Sequence, residues 1–303
     1  MGIIERISQF VPKENILEKE LMSRYTTFKV GGPCSVLVKI DEVDWLKNLL
    51  PMLSKEKMPY FFLGNGSNLL VSDEGYEGVI LTFSQKLAND VKVDGEKVIA
   101  GGGVLLSKVA KYALDDSLTG FEFAAGIPGT VGGAMVMNAG AYDGEMKQIV
   151  ETVEVIDKDG NLRVLSCEEM EFGYRTSILK REPLVVTKVT FQLKKGDKTV
   201  IKEKMDDLAQ RRRDKQPLEY PSAGSTFKRP EGHFAGKLIM DAGLRGYQVG
   251  GARVSDKHCG FVVNAENATA ADVHQLMKDV ITKVQKEFQV TLEPEVIRLG
   301  EFK

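Results

Sequence analysis

The sequence predicts an α+β protein of two domains, or three, and three observations carry that expectation. Its 303 residues exceed what one hydrophobic core ordinarily organises. Asp94-Gly95 and Lys158-Asp159-Gly160-Asn161, each between apolar runs, signal β-hairpins. Val273, Leu276, Met277, Val280, Ile281, Val284 and Phe288 recur at the spacing of one long amphipathic helix.

Taken in order, Ser35 to Ile40 alternates as a strand, and Val43, Trp45, Leu46, Leu49, Leu50 and Leu53 follow at helical spacing. Pro51, which lacks an N–H, is expected to kink or end that helix early. Tyr60 to Leu63 is a short apolar run that stops at Gly64-Asn65-Gly66-Ser67-Asn68, and Leu69 to Val71 and Gly78 to Phe83 resume as strands. Strand, helix, strand and glycine loop is a pattern that builds ligand edges. Val91 to Val93 and Lys97 to Ala100 form the arms of the first hairpin, and Gly101-Gly102-Gly103 leads into a helix through Val104, Val109, Tyr112 and Ala113.

Val150 to Asp157 and Leu162 to Leu165 form the second hairpin, and Leu184 to Leu193 is a further strand. After the polar break at 194–198 a helix is expected from Thr199 to about Asp214, and the main domain boundary is placed there, between 1–198 and 199–303. The last third is α+β in pattern: a helix over Phe234 to Met240, a strand over Gly260 to Asn264, and a capping box at Thr269-Ala270-Ala271-Asp272 opening the long helix. Its apolar stripe reads as core. Val290 to Val296 alternates as a strand interrupted by Pro294, hence at an edge or mouth.

Composition removes several function classes. With 43% hydrophobic and 28% charged residues and a net charge of −2, the chain has no bias toward long nucleic acid. Cys34, Cys167 and Cys259 are odd in number and far apart, which argues against a disulfide framework or a CxxC metal site and for small buried residues in a reducing compartment. The opening Met1-Gly2-Ile3-Ile4-Glu5-Arg6 carries no basic segment before an apolar core, so a soluble cytoplasmic protein is expected. His233, His258 and His274 form no ligand spacing, His274 is expected on the polar side of the long helix, and no metal is expected. There is no GxSxG elbow for a serine hydrolase.

The most constrained stretch runs from Gly126 to Tyr142. From Phe123 to Tyr142 it carries no charge, and half of the chain's 30 glycines fall between Gly64 and Gly144. Three readings stay open for it: a membrane helix, a tight core loop, or a backbone cradle for phosphate. Five glycines and Pro128 weigh against the first. Gly64-Asn65-Gly66-Ser67-Asn68-Leu69 and Gly101-Gly102-Gly103-Val104-Leu105-Leu106 both read GxGxxL, without the third glycine of a dinucleotide fingerprint, and no GxxxxGK[ST] loop occurs. Asn65, Ser67 and Asn68 add side-chain donors, and loops 64–68 and 126–133 together favour a large phosphate ligand.

Three further residues stand where chemistry could be done. Arg175 in Gly173-Tyr174-Arg175-Thr176-Ser177 reads equally as a surface-loop arginine, Ser225 in Gly224-Ser225-Thr226-Phe227-Lys228 as a turn entering a strand, and Glu295 as an edge-strand charge. Arg211-Arg212-Arg213-Asp214-Lys215 is either a solvated helix end or an anchor for a small polyanion.

Six motifs in order give these fragments a common frame: Tyr25-Thr26-Thr27-Phe28-Lys29-Val30-Gly31-Gly32, the loop at 63–69, the stretch from Gly126, the Arg175 motif, the Ser225 motif and Leu292-Glu293-Pro294-Glu295-Val296. Over nearly the whole chain they resemble the UDP-N-acetylenolpyruvoylglucosamine reductase family of bacterial flavoenzymes. The resemblance implies a two-subdomain FAD-binding region of the vanillyl-alcohol-oxidase type, with subdomains of about 1–83 and 84–198, followed by an α+β substrate-binding domain. It implies FAD and NADPH, and a flavin held by Thr26, Thr27, Gly64, Asn65, Gly66, Ser67, Asn68, Leu69, Gly126, Ile127, Pro128, Gly129, Val131, Gly132, Gly133 and Ala134. Neither loop contains His or Cys, so the flavin is expected to be non-covalent.

The implied chemistry gives the three ambiguous residues compatible work. Hydride delivered from reduced flavin to an enolpyruvyl methylene leaves negative charge on the adjacent carbon and its carboxylate, which Arg175 would hold. Ser225 would supply the proton, and Glu295 would bond the substrate acid or its enol form. Lys215, Arg213 and Arg229 would contact the UDP-sugar substrate, for a protein expected to be a monomer without membrane or nucleic-acid partners. Two departures stand out: the short segment from Ser177 to Leu184 has no room for the tyrosine loop some members insert, and Arg229 replaces an asparagine. A related FAD oxidase or dehydrogenase of a sugar or alcohol, and a catalytically silent nucleotide-binding module, are the alternatives.

Overall fold

The strand Cys34–Ile40 behaves as its alternation predicts, with Val36, Val38 and Ile40 all at 2% exposure or less. In this computed structural model, which describes residues 2–302, the chain groups into two units. Unit 1 takes the chain up to Glu18, then Val36–Asn65 and Gly78–Arg211; unit 2 takes Lys19–Ser35, Gly66–Glu77 and the chain from Arg212 on.

Unit 1 has two apolar cores. In the first, the sheet runs in the order Ile16–Glu18, Cys34–Ile40, Tyr76–Phe83, Tyr60–Leu63, the last two parallel from Tyr60 opposite Val79 to Leu63 opposite Thr82. The helix Leu46–Lys55 covers it with Leu46, Leu49, Leu50 and Leu53, all fully buried. Contrary to the sequence expectation, this helix does not end early at Pro51 but continues to Lys55. Proline withdraws the donor that would meet the Lys47 carbonyl, and Gly160 fills the gap so closely that a Cβ there would overlap that oxygen.

The second core of unit 1 is built on the two predicted hairpins, joined into one antiparallel sheet ordered Leu162–Ser166, Val150–Ile156, Val185–Gln192, Lys97–Gly101, Val91–Asp94. The helices Leu106–Asp115 and Val131–Met137 pack into the same core, and Phe121 meets Phe191 edge to face at 5.1 Å. Cys167 departs from the expected burial: it is half-exposed, with its thiol donating to the Lys147 carbonyl at 3.4 Å, whereas Cys34 and Cys259 are buried.

Unit 2 is an antiparallel sheet, ordered Ser222–Ser225, Phe261–Asn264, Ala252–Val254, Gln248–Val249, packed on the helix Ala270–Phe288. Val273, Leu276, Met277, Val280 and Val284 are buried as the stripe predicts. The capping box forms, with the Thr269 hydroxyl accepting from Asp272 N–H at 3.0 Å and the Asp272 carboxylate from Thr269 N–H at 2.9 Å. Asp73 satisfies two more orphan donors, the N–H groups of Ala270 and Ala271, both at 2.8 Å.

Unit 2 therefore draws on two early segments as well as the last third of the chain. Leu69–Val71 pairs in parallel with Ile297–Leu299, and Phe28, Val30 and Leu70 belong to the same core as the long helix. Two early segments must join the last third because their apolar side chains and backbone donors are spent there.

Two expectations about this unit are corrected. Residues 290–296 do not form a strand; Pro294, with no N–H to give a ladder, makes one isolated bridge to Phe227, and the strand begins at Ile297. His274 does not lie on the polar side of its helix but is 9% exposed, its ring 5.0 Å from that of Phe302. No described helix is long and apolar enough to cross a membrane.

Burial, with Arg298 and Lys278 adding to it, holds the His274 imidazole below its usual value, so the folded chain takes up this proton at a lower pH than the unfolded chain. As pH falls through about 6.5, the unfolded chain gains a proton that the folded chain resists, and stability is lost. His274→Leu should flatten that loss between about pH 7 and 5 in denaturant melts, after allowance for packing. An unchanged pH slope would refute this assignment.

Candidate functional site

The apolar glycine stretch enters the site from a buried carboxylate. Burial works against the charge of Glu122, but hydrogen bonds from the Thr119 hydroxyl at 2.6 Å and Gly120 N–H at 3.0 Å outweigh it and hold its carboxyl below the usual range. The 3-10 turn Glu122–Ala124 is thereby fixed, and the chain runs through Gly126 to Thr130, which N-caps the helix Val131–Met137 by accepting from Gly133 N–H at 3.3 Å. That helix is pinned to the sheet by Gly132 N–H to the Gly102 carbonyl and Val131 N–H to the Val104 carbonyl, both at 2.8 Å.

The glycines here serve two purposes. A Cβ on Gly102 would overlap the Val186 carbonyl, and one on Gly103 would lie 2.7 Å from Phe83 Cβ. The Gly101–Gly103 triplet, which resembled a dinucleotide fingerprint, is thus used for close packing of the fold. Gly129 is different: a Cβ there would meet nothing closer than 3.9 Å, and one on exposed Gly133 only the Thr130 hydroxyl at 3.4 Å. Neighbouring protein atoms do not demand glycine at either position. A bare backbone with open space above it fits close approach by a ligand.

The loop after Tyr60–Leu63 is braced against this stretch. A Cβ on Gly64 would stand 2.5 Å from the Thr130 hydroxyl, and Asn65 Nδ2 donates to the Pro128 carbonyl at 2.9 Å. One of the two amide hydrogens expected to serve a phosphate is therefore spent on joining loops.

In unit 2, Gly66 has φ +62, and a Cβ there would overlap the Tyr25 carbonyl. Its own carbonyl accepts from Thr27 N–H at 3.1 Å, with the Thr27 hydroxyl at 3.4 Å, while the buried Thr26 hydroxyl turns inward to the Val30 carbonyl at 2.9 Å. Ser67 is half-buried and Leu69 buried in the following strand. Asn68 holds the chain just after Glu295: its Nδ2 donates to the Glu295 carbonyl at 3.1 Å and its carbonyl accepts from Ile297 N–H at 3.0 Å.

Ser225 and Glu295 are brought onto bonded segments. Glu295 N–H donates to the Thr226 carbonyl and Lys228 N–H to the Glu293 carbonyl, both at 2.8 Å, on either side of the Phe227–Pro294 bridge. The orientation of Ser225 comes from a bulge. Ser222 lies opposite Val263 and Ser225 opposite Phe261, so three residues on one strand span two on the other. Without that extra residue, Ser222 and Ser225 would face opposite sides; with it they share one, and Gly224, at φ +74, supplies the left-handed turn. Ala223 is buried in the core and Ser225 is exposed.

Arg175 lies in unit 1 on a loop that is stitched to the end of the helix Val131–Met137. Asn138 Nδ2 and the Ser177 hydroxyl donate to the Gly173 and Val136 carbonyls, each at 3.1 Å. Arg175 itself has φ +55, a conformation that costs a non-glycine residue about 1–2 kcal/mol and marks a position held by its surroundings. Its Nη2 donates to the Gly140 carbonyl at 3.1 Å, and its own carbonyl accepts from Lys180 Nζ at 2.8 Å. One seven-residue helix thus carries the open glycine face at its start and orders the arginine loop at its end.

The substrate cations are placed less specifically. Lys215 is exposed at the end of the helix Lys198–Lys215, the Arg213 carbonyl accepts from Lys257 Nζ at 2.6 Å, and Arg229 lies over the Phe234 ring at 4.0 Å. His258 was not singled out by the sequence. Its Nδ1 accepts from Gly260 N–H at 3.1 Å and its ring stands 5.0 Å from Phe261, the residue opposite Ser225. Burial, with Lys215 adding to it, keeps this imidazole less basic than usual. Only its place in the turn before a strand could have suggested this.

The open glycine face on one α+β unit fits a protein that binds a large phosphate-bearing cofactor. Residues 34–166 match the FAD binding domain family, and residues 216–299 match the UDP-N-acetylenolpyruvoylglucosamine reductase, C-terminal domain family. The UDP-N-acetylenolpyruvoylglucosamine reductase of Caldanaerobacter subterraneus subsp. tengcongensis is 50% identical over 299 residues, covering 99% of this chain and 98% of that one. The protein of the same name from Clostridium novyi is 50% identical over 301 residues, covering 99% and 97%. The crystal structure of the Thermus caldophilus reductase superposes with a TM-score of 0.80 at 38% identity, covering 93% of this chain and 98% of that one. Phl p 4, a grass pollen allergen with glucose dehydrogenase activity, shares the fold at a TM-score of 0.51 and 14% identity, over 65% of this chain and 45% of its own. The chain belongs to the UDP-N-acetylenolpyruvoylglucosamine reductase family of oxidoreductases, and its cofactor is FAD.

Proposed function

We propose that this chain catalyses the NADPH-dependent reduction of UDP-N-acetylglucosamine enolpyruvate to UDP-N-acetylmuramate through non-covalently bound FAD, as a cytoplasmic monomer in peptidoglycan precursor synthesis. The observation that carries the reading is the pairing of the Ser225 and Glu295 segments, with Asn68 of the glycine loop bonded to the Glu295 carbonyl and to Ile297 N–H. Family membership supports the substrate, and the open faces of Gly129 and Gly133 support a large flat ligand over residues 126–134.

Bound at residues 126–134, FAD would take two electrons from NADPH and, so reduced, would supply a hydride to the methylene carbon of the enolpyruvyl group. Negative charge then grows on the adjacent carbon and its carboxylate, and Arg175 holds that carboxylate through a planar fork already ordered by its loop. The exposed Ser225, set opposite Phe261 by the bulge, delivers its hydroxyl proton to the adjacent carbon without adding a second fixed charge. Glu295 bonds the substrate acid or its enol form. Lys215, Arg213 and Arg229 contact the remainder of the nucleotide sugar.

Anaerobic addition of NADPH to the purified yellow protein should bleach the flavin absorbance, and the enolpyruvyl substrate should restore it. Failure to bleach with intact FAD bound sinks the assignment. Ser225→Ala should leave reduction by NADPH nearly intact and slow reoxidation by substrate by orders of magnitude; equal losses in both half-reactions would remove serine from the proton-donor role.

Gly133→Ala separates cofactor from fold. It replaces glycine inside a helix, worth about 0.5–1 kcal/mol in stability to the FAD-free protein, while filling the space assigned to the cofactor. The FAD-free form should therefore melt no lower than native while FAD is released more readily; undiminished FAD retention would move the cofactor off this glycine.

A further inference from the structure

Strand register places Arg253 on the same side of the unit 2 sheet as Ser225. Arg253 lies opposite Val263, Val263 opposite Ser222, and Phe261, two residues along the same strand, opposite Ser225. Its neighbours Ala252 and Val254 point the other way, into the core against the long helix, and both are fully buried. From strand spacing and rise, the Cα atoms of Arg253 and Ser225 are about 12 Å apart.

This arginine is held but not satisfied. Its guanidinium stands 5.4 Å from the centre of the Tyr220 ring, which orients the plane, and its side chain is only 24% exposed. Its Nε is buried and has no hydrogen-bond partner among the described residues. The carboxylate paired with it, Asp256, is 3.8 Å away, beyond hydrogen-bond reach. Buried polar groups in folded proteins are nearly always bonded, and a guanidinium fixed by an aromatic ring with donors to spare is suited to a phosphate or carboxylate.

We propose that Arg253 binds the diphosphate of a nucleotide ligand lying along the Ser225 face. The inference rests on the reading above that Ser225 meets the substrate. A nucleotide sugar whose acidic end reaches Ser225 extends its diphosphate by several bonds along the sheet, and the long arginine side chain covers the rest of the interval. UDP-sugar substrate and NADPH both carry a diphosphate, so the chemistry is shared and the two sources are separated by experiment.

The test uses the FAD-loaded protein and titrates UDP, uridine and NADP+ by calorimetry against the native chain, Arg253→Gln and Arg253→Lys. Retained flavin colour shows that each variant is folded. Arg253→Gln should weaken UDP about ten- to a hundredfold, with Arg253→Lys recovering part of the loss and uridine, which lacks phosphate, unaffected. A loss confined to NADP+ also supports diphosphate binding and assigns it to the electron donor. UDP and NADP+ binding as tight in Arg253→Gln as in the native chain overturns the proposal, as does an equal weakening of UDP and uridine, which a purely structural arginine would produce. Native protein that binds NADP+ but not UDP contradicts the substrate assigned above while leaving the role of Arg253 to be decided by the NADP+ arm.

Discussion

The grip of Asn68 on Glu295 is the contact on which the chemistry of unit 2 depends. Two hydrogen bonds, one from the side chain and one to the backbone, fix the two peptide groups that follow a residue with no regular strand to hold it. Pro294 cannot donate, so this stretch cannot be held by a sheet ladder. Asn68 supplies what the ladder lacks, and the Thr226 carbonyl completes the frame by accepting from Glu295 N–H. A carboxylate presented by such a frame has little backbone freedom left to lose when substrate arrives.

In unit 1 the equivalent constraint is small-residue packing. Gly102 and Gly103 let the sheet, Phe83 and the helix Val131–Met137 approach closely, and that approach leaves Gly129 and Gly133 standing clear. The two sets look alike as letters. Only what lies within van der Waals range of each missing Cβ tells packing from recognition.

How much of this was legible follows from how local each determinant is. The two hairpins, the capping box at Thr269 and the stripe of the long helix are set by neighbours in sequence, and they form where the sequence puts them. Misjudged elements depended on distant partners. Pro51 is tolerated because Gly160 packs on the exposed Lys47 carbonyl, and His274 is buried because Phe302 comes back over it. The Ser225 motif was visible, but the bulge that orients its hydroxyl is a matter of register with Phe261 and Val263. Arg253 carried no motif at all, since its interest lies in a face shared with Ser225 through two intervening pairings.

The parallel pairing of Leu69–Val71 with Ile297–Leu299 has a consequence for synthesis. Asn68 and Glu295 are 227 residues apart, so the loop-closure entropy of unit 2 is met only when nearly all of the described chain exists. The hairpins of unit 1 need no such wait, since their partners lie a few residues away. On the ribosome, the glycine-faced half can therefore order first, while Phe28, Val30 and Leu70 remain without their core until the last strand emerges. For that interval those apolar segments are the exposed surface a chaperone would meet.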